Sequence, residues 1–446
     1  MAYPLIIQGW ENRTDFRSIP EECQHPMEYL EQCIARHKSK KYEILGLRKK
    51  GNGFAPGDYI GMVWLDKDDN QAVLRTDSKF PDMDYVAMYA KCAAHPRVGK
   101  RLDDCFHVWP EQNLIDTDKH DDFTILGIIA YLRELNNLCR RHMRRHFILA
   151  RQNFVGKMKG KIIISENFRH NVISARSDRI YCEYQSVSNN ILENQILRTA
   201  LECAAHYFDT YLGDKNTLDI LPQWIRASRA ALIGVSTKKI KPSDFVVARK
   251  RGAFVFYKRP LVLAKAILQK LGTNPQAKSS QTQTPPFALD SAKLFEYYTE
   301  VKLSETISGI QRGPKVESSN AGDFNVTVCP DFYVPDKQTP RIIDAKYKDV
   351  DSTYFTDKEI ADHKRKPRRD DIHQIVTYSQ HRELLKQMDC ASSQSIELGL
   401  AYPYISNDVT SVAYKKQTRA FMSPLTIYGI PCPEKKKTKT TGADKK

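Results

Sequence analysis

Asp331, directly after Pro330, and the triplet Asp344-Ala345-Lys346 are the residues whose types and spacing could do chemistry in this chain. Ile342 and Ile343 lead into Asp344, so the acid rides a short apolar strand. Side chains alternate along a strand, which sends Asp344 and Lys346 to one face. The stretch Pro335-Asp336-Lys337-Gln338-Thr339-Pro340 between the two acids is turn-forming by composition. Two adjacent strands joined by that turn would set Asp331 beside Asp344. Two converging carboxylates suit a hard divalent cation, Mg²⁺ or Mn²⁺. A lysine beside them can hold a water or a phosphate oxygen and offset negative charge as it develops. The chemistry on offer is metal-assisted hydrolysis of a phosphate ester.

The acid-x-lysine spacing carries no weight by itself. It recurs in Asp77-Ser78-Lys79, Glu300-Val301-Lys302, Asp362-His363-Lys364, Glu434-Lys435-Lys436 and Asp444-Lys445-Lys446. None of these combines an apolar run before the acid with a Pro-Asp one hairpin upstream. Charges on strands are usually only solvated, so the surrounding elements decide the reading.

Those elements alternate helix, strands, helix, strand. Leu294, Phe295, Tyr298 and Val301 recur at helical spacing within a helix expected from Leu289 to Leu303, which carries Glu296. After the hairpin comes a basic run, Lys364 to Arg369, then a helix expected from Asp370 to Met388. Gln374 and Tyr378 lie four apart on it and share a face. A strand is expected over Ile396 to Ala401.

With Leu294-Phe295-Glu296, Pro330-Asp331, Asp344-Ala345-Lys346 and Gln374-x-x-x-Tyr378 in place, the segment resembles the PD-(D/E)xK nuclease superfamily. More closely, the chain resembles the McrC family, the nuclease subunits of McrBC-type restriction systems. Phe154-Val155-Gly156-Lys157-Met158-Lys159-Gly160-Lys161, Arg169-His170-Asn171, Cys182-Glu183-Tyr184 and Glu193-Asn194-Gln195-Ile196-Leu197 carry the likeness through the middle of the chain. The resemblance implies an α/β fold. Its C-terminal restriction-endonuclease-like domain has a mixed central sheet flanked by helices and is preceded by an α+β, β-rich N-terminal region. It implies a metal-dependent endonuclease acting on double-stranded DNA and docked on an McrB-like AAA+ GTPase. Asp331 and Asp344 would ligate Mg²⁺ or Mn²⁺, with the Ala345 carbonyl and Glu296 as further ligands. Lys346 would position the attacking water, and Gln374 and Tyr378 would orient the site. Lys364, Arg365, Lys366, Arg368 and Arg369 would contact phosphates.

Composition fits that reading. The chain has 446 residues, a net charge of +16 and a pI near 9.2, a surplus that favours a polyanion. No apolar run is long enough to span a bilayer and no secretory signal is evident, so a cytoplasmic protein without membrane contact is expected. The ten cysteines are scattered without a CxxC pair, which argues against a zinc ribbon and for reduced thiols. Cys329 is expected to be a small buried apolar side chain.

Residues 1–153 are expected to form an α+β partner-docking region, 154–271 a middle α+β region, 272–286 a linker, 287–432 the nuclease domain and 433–446 a basic disordered tail. In the first region Tyr42 to Leu47, Asp58 to Leu65 and Ala72 to Arg75 read as strands and Asp84 to Ala94 as a helix. The longest helical pattern runs from Asp122 to about Ala150, buried through Ile125, Ile128, Leu132, Leu135 and Leu138 and basic at its far end. A strand is expected over Ile162 to Ile164 and a helix over Ile191 to Leu212. Gly156 to Lys161 falls one residue short of a phosphate-binding P-loop and lacks the following Ser or Thr, so any nucleotide motor is another polypeptide. The competing readings are a stand-alone DNA-processing nuclease and a catalytically silent assembly protein of an AAA+ complex.

Overall fold

The computed structural model describes residues 5–14, 26–36, 40–65, 72–117, 122–141, 143–212, 218–250, 255–272, 283–318, 326–336, 340–350, 368–388, 396–406, 408–417 and 423–435. It is a mixed α/β structure with several sheets. The chain divides into two units. One comprises 1–116, 121–126 and 285–446, and the other 117–120 and 127–284.

In the first unit a five-stranded sheet runs in the order Leu5–Trp10, Ala72–Asp77, Tyr59–Trp64, Phe287–Asp290, Phe106–Val108. The strand at 287–290 comes from the far side of the expected linker and pairs antiparallel with both neighbours. Gly61 permits that insertion. Its φ is +151° and a Cβ there would lie 2.2 Å from the Phe287 carbonyl oxygen. The N-terminal sheet and the C-terminal region therefore share one unit, in place of the expected split between 1–153 and 287–432. Residues 273–282, the heart of the expected linker, lie outside the described residues, as do 436–446 of the expected tail.

A six-stranded sheet then runs in the order Gln311–Arg312, Phe332–Val334, Arg341–Ala345, Glu397–Ser406, Leu425–Pro433, Ala413–Gln417. Arg341–Ala345 pairs antiparallel with Phe332–Val334 and parallel with Glu397–Ser406. Strands covered on both faces read as continuous apolar runs, which is what Ile342-Ile343 and Leu398 to Tyr402 provide. Helix Arg369–Gln380 packs on this sheet, with Ile375 and Tyr378 joining Ile342, Leu398, Leu400 and Ile427 in one core. The expected helix Asp370 to Met388 is interrupted at His381, whose extended backbone and side chain cap a second short helix, Arg382–Gln387.

The second unit pairs the ten-residue strands His146–Val155 and Arg179–Ser188 as a long antiparallel hairpin, with Lys161–Ile162 alongside. In the same unit helices Leu192–Tyr211 and Val255–Leu271 pack on each other, with Leu197, Leu201, Leu263 and Ile267 buried. Among the described residues no helix is long and apolar enough to cross a membrane.

Several local expectations are corrected. Tyr42 to Leu47 is a turn of 3-10 helix, Lys41–Ile44, closed by Leu45 and Gly46 at positive φ. The long helix spans Asp122–Arg140, and from His146 the chain is a strand. Phe147-Ile148-Leu149 suits either state locally, and pairing with 179–188 decides it. Arg144 is therefore no helix-end cation but pairs with buried Glu193 at 2.9 Å. The expected strand over Ile162 to Ile164 ends at Ile162, and a short helix, Ile164–Asn167, follows. The helix expected from Leu289 starts at Ser291, capped by Asp290, whose side chain accepts from the Lys293 amide. The strands Tyr59–Trp64 and Ala72–Asp77 and the helices Tyr85–Ala94 and Leu192–Tyr211 stand as expected.

Candidate active site

The hairpin register decides the site. Phe332 faces Ile343 and Tyr333 faces Ile342, so the next pair outward sets Asp331 opposite Asp344. The Ala345 amide donates to Asp331 Oδ2 at 2.7 Å, locking the first acid across the strands. Asp344 is 2 % exposed. Its Oδ2 makes no directional hydrogen bond among the described residues and is met by the ion pair with Lys346. Burial, reinforced by the neighbouring charge of Asp344, pushes the Asp331 carboxyl well above the usual carboxylate range. Two neighbouring acids, one buried and one half-buried, disfavour double ionisation unless a cation joins them.

Lys346 bridges the acids to the helix. Its Nζ pairs with Asp344 and donates to Gln374 Oε1 at 2.7 Å. Gln374 Nε2 in turn donates to Tyr378 Oη at 2.6 Å, the i,i+4 contact expected on one helix face. The Tyr378 hydroxyl lies 3.4 Å from the Cys329 carbonyl oxygen, and burial pushes its pKa up to about 12. The helix is pinned by buried Asp371, which pairs with Lys348 and accepts from Tyr402 Oη at 2.9 Å.

The structure brings Asp331, Asp344, Lys346, Gln374 and Tyr378 together. Ala345 contributes its amide, donated to Asp331. Glu296 is not joined to the pair by any hydrogen bond. It is held in an ion pair by Arg312, which also pairs with Glu300 at 2.8 Å. Among the described residues no three His, Cys, Asp or Glu side chains gather closely enough to hold one ion. Asp331 and Asp344 are the two side chains that could do so, with room for water and phosphate oxygens in the remaining positions. Mg²⁺ is commonly bound through one or two carboxylates plus substrate phosphates. Arg368 and Arg369 are exposed at the start of the helix, while Lys364, Arg365 and Lys366 lie outside the described residues. Cys329 is exposed rather than buried.

Two residues beside the acids were not legible from spacing. Arg312 lies opposite Phe332 in the sheet, with its guanidinium carbon 5.3 Å from that ring's centroid, and burial beside Arg101 lowers its pKa to about 10. Gly313 donates its amide to the Asp331 carbonyl at 3.0 Å. A Cβ on Gly313 would lie 1.8 Å from the Pro330 carbonyl oxygen, so only glycine fits behind the Pro-Asp turn. The adjacent Arg-Gly pair is the one signal the sequence offered, and it is a weak one.

Residues 106–387, more than half of the chain, match the family described as McrBC 5-methylcytosine restriction system component. No curated protein matches. Among solved structures, the chain is similar to a chain of the refined half-complex from a tetradecameric assembly of Thermococcus gammatolerans McrB AAA+ hexamers with bound McrC. That match has 14 % identity and a TM-score of 0.41, and covers 96 % of this chain and 94 % of that one. A chain of the Thermococcus gammatolerans McrBC complex shows 13 % identity, a TM-score of 0.31 and coverage of 69 % and 89 %.

Proposed function

The chain belongs to the family of McrBC 5-methylcytosine restriction system components, and on that premise we propose that it is the nuclease subunit of such a system. It hydrolyses phosphodiester bonds in double-stranded DNA with Mg²⁺ or Mn²⁺ and docks on an McrB-like AAA+ GTPase. The observation that carries this reading is the pairing of Asp331 with buried Asp344 across one hairpin, with Lys346 joined to the second acid. The mixed sheet around Arg341–Ala345, helices included, supports a PD-(D/E)xK arrangement.

The two acids fit a divalent cation. Lys346 ion-pairs with Asp344, while the raised proton affinity of Asp331 beside it marks negative charge that a cation can still compensate. A bound cation would lower the pKa of a coordinated water and polarise the scissile phosphate. The chain's own residues do the rest. Lys346, fixed between Asp344 and Gln374, presents an ammonium to charge building on the phosphate. Gln374 is held at its other end by Tyr378, so Lys346 is aimed before substrate arrives.

A partner is supported by the second unit. Phe147 and Leu149 are 66 % and 68 % exposed on the hairpin, and Ile164, Val172, Ile173 and Val187 are also exposed. Val187 pairs directly across from Phe147, and exposed apolar side chains grouped in this way support a protein-docking surface. Phe147 and Leu149 lie within residues 1–153, the expected docking region, and Ile164, Val172, Ile173 and Val187 lie in the expected middle region, so the proposed surface draws on both.

Calorimetric titration of the full-length protein with Mn²⁺ tests the reading. Wild type is expected to bind, and Asp331→Ala to lose binding while keeping its circular dichroism spectrum. Equal binding by both would remove the metal site.

A further inference from the structure

A cleft lies in the same unit as the acids. It encloses about 450 Å³ and is lined on one side by residues 11–13, 48, 50, 58 and 79 and on the other by 347–349 and 368. Six of its lining side chains are cations and three are carboxylates. The site reading uses none of the N-terminal ones.

Its floor is neutralised and rigid. Glu11, fully buried, accepts from the Ser291 hydroxyl, from the Lys79 amide at 3.1 Å and from Tyr347 Oη at 3.2 Å. Lys79 Nζ donates to Asp58 at 2.7 Å and to the Tyr347 carbonyl at 2.8 Å. The rim differs. Arg13, Arg48, Lys50 and Arg368 are exposed, and none forms an ion pair with a carboxylate among the described residues. Arg48 and Lys50 instead donate to Asn12, at 2.5 and 2.7 Å, another lining residue. Uncompensated cations around a concave surface focus potential on a passing polyanion.

Position gives this charge its meaning. Tyr347 and Lys348 follow Lys346 directly, and Arg368 begins the helix that carries Gln374. The cleft and the acid pair share both of these segments. The lining offers no base platform. Tyr347 is 8 % exposed, and the Lys79 ammonium covers its ring at 3.8 Å. That surface suits a sugar–phosphate backbone rather than a free nucleotide, whose base would want a stacking partner.

We propose that this cleft is a backbone-binding track for the DNA strand whose phosphodiester enters the acid pair, so that the N-terminal sheet builds half of the DNA cradle. The inference rests on the nuclease reading and adds a surface to it. Contacts of this kind fix register without reading sequence.

The test is fluorescence anisotropy of a labelled DNA duplex with the full-length protein in EDTA, across a salt series. The variants are the triple Arg13→Ala/Arg48→Ala/Lys50→Ala and its conservative counterpart Arg13→Lys/Arg48→Lys/Lys50→Arg. The triple alanine variant should bind more weakly, with the slope of log affinity against log salt reduced by about three. The conservative variant should keep the wild-type slope. An unchanged slope in a folded alanine variant overturns the proposal, as does wild-type protein that binds no duplex. Displacement of the duplex by a free mononucleotide at equal phosphate concentration also overturns it, in favour of a nucleotide pocket. Wild-type protein that binds with the expected slope but never cuts with partner, nucleotide and Mg²⁺ would sink the nuclease reading instead. Wild-type protein that cuts while the alanine variant binds as wild type sinks the track alone.

Discussion

Asp331 holds its proton more tightly in the folded chain than in the unfolded one, because burial and the charge of Asp344 both oppose its ionisation. A carboxyl raised in this way stabilises the fold fully at acid pH, and that contribution is lost as pH rises through the folded value. Without divalent cation, then, wild type should lose stability from acid towards neutral pH relative to Asp331→Asn, which is uncharged throughout. The gap in Tm between the two proteins is expected to open with rising pH and to shrink for wild type when Mg²⁺ is added. A gap that is constant with pH, or that opens towards acid, would show that Asp331 is not the strained member of the pair. The acid pair itself was legible because strand alternation and a Pro-bounded turn are local rules. Glu11 was not. It sits far from Ser291 and Tyr347 in sequence, and nothing near it announces that it will be buried between them.

At the scale of elements, the hairpin is flanked in the sheet by the Gln311–Arg312 strand, which pairs with Phe332 and Tyr333. Gly313 passes so close to Pro330 that a methyl group has no room. Gly313→Ala should therefore destabilise the protein by about 1–3 kcal/mol, the usual range for overpacking. It should also reduce cleavage at temperatures where the variant remains folded, because Asp331 is displaced. Denaturant melts paired with cleavage assays check this. A variant matching wild type in both would mean the hairpin shifts freely. Helices with a clean apolar stripe and a cap, such as Tyr85–Ala94 behind Asp84, were readable from sequence. The end of the Asp122–Arg140 helix was not, since His146 to Leu149 fits a helix as well as a strand until residues 179–188 pair with it.

For the whole molecule, the sequence suggested a nuclease domain hung on a linker, and the sheet order contradicts that. Phe287–Asp290 completes the N-terminal sheet, a long-range pairing that composition around 272–286 cannot reveal. The hairpin unit of 127–284 is then the part that carries the exposed apolar surface. Phe147→Ser combined with Leu149→Ser should leave Tm nearly unchanged, since both side chains are exposed, and weaken stimulation of an McrB-like GTPase by roughly tenfold or more. Full stimulation by that variant would move the docking surface elsewhere. The central claim, that Asp331, Asp344 and Lys346 cut DNA, is tested most directly by plasmid cleavage with partner, nucleotide and Mg²⁺, comparing wild type with Lys346→Ala. GTPase turnover is read on the same samples. The account predicts cleavage slowed by roughly a hundred- to a thousandfold with GTPase stimulation intact. Cleavage by Lys346→Ala at the wild-type rate would contradict it.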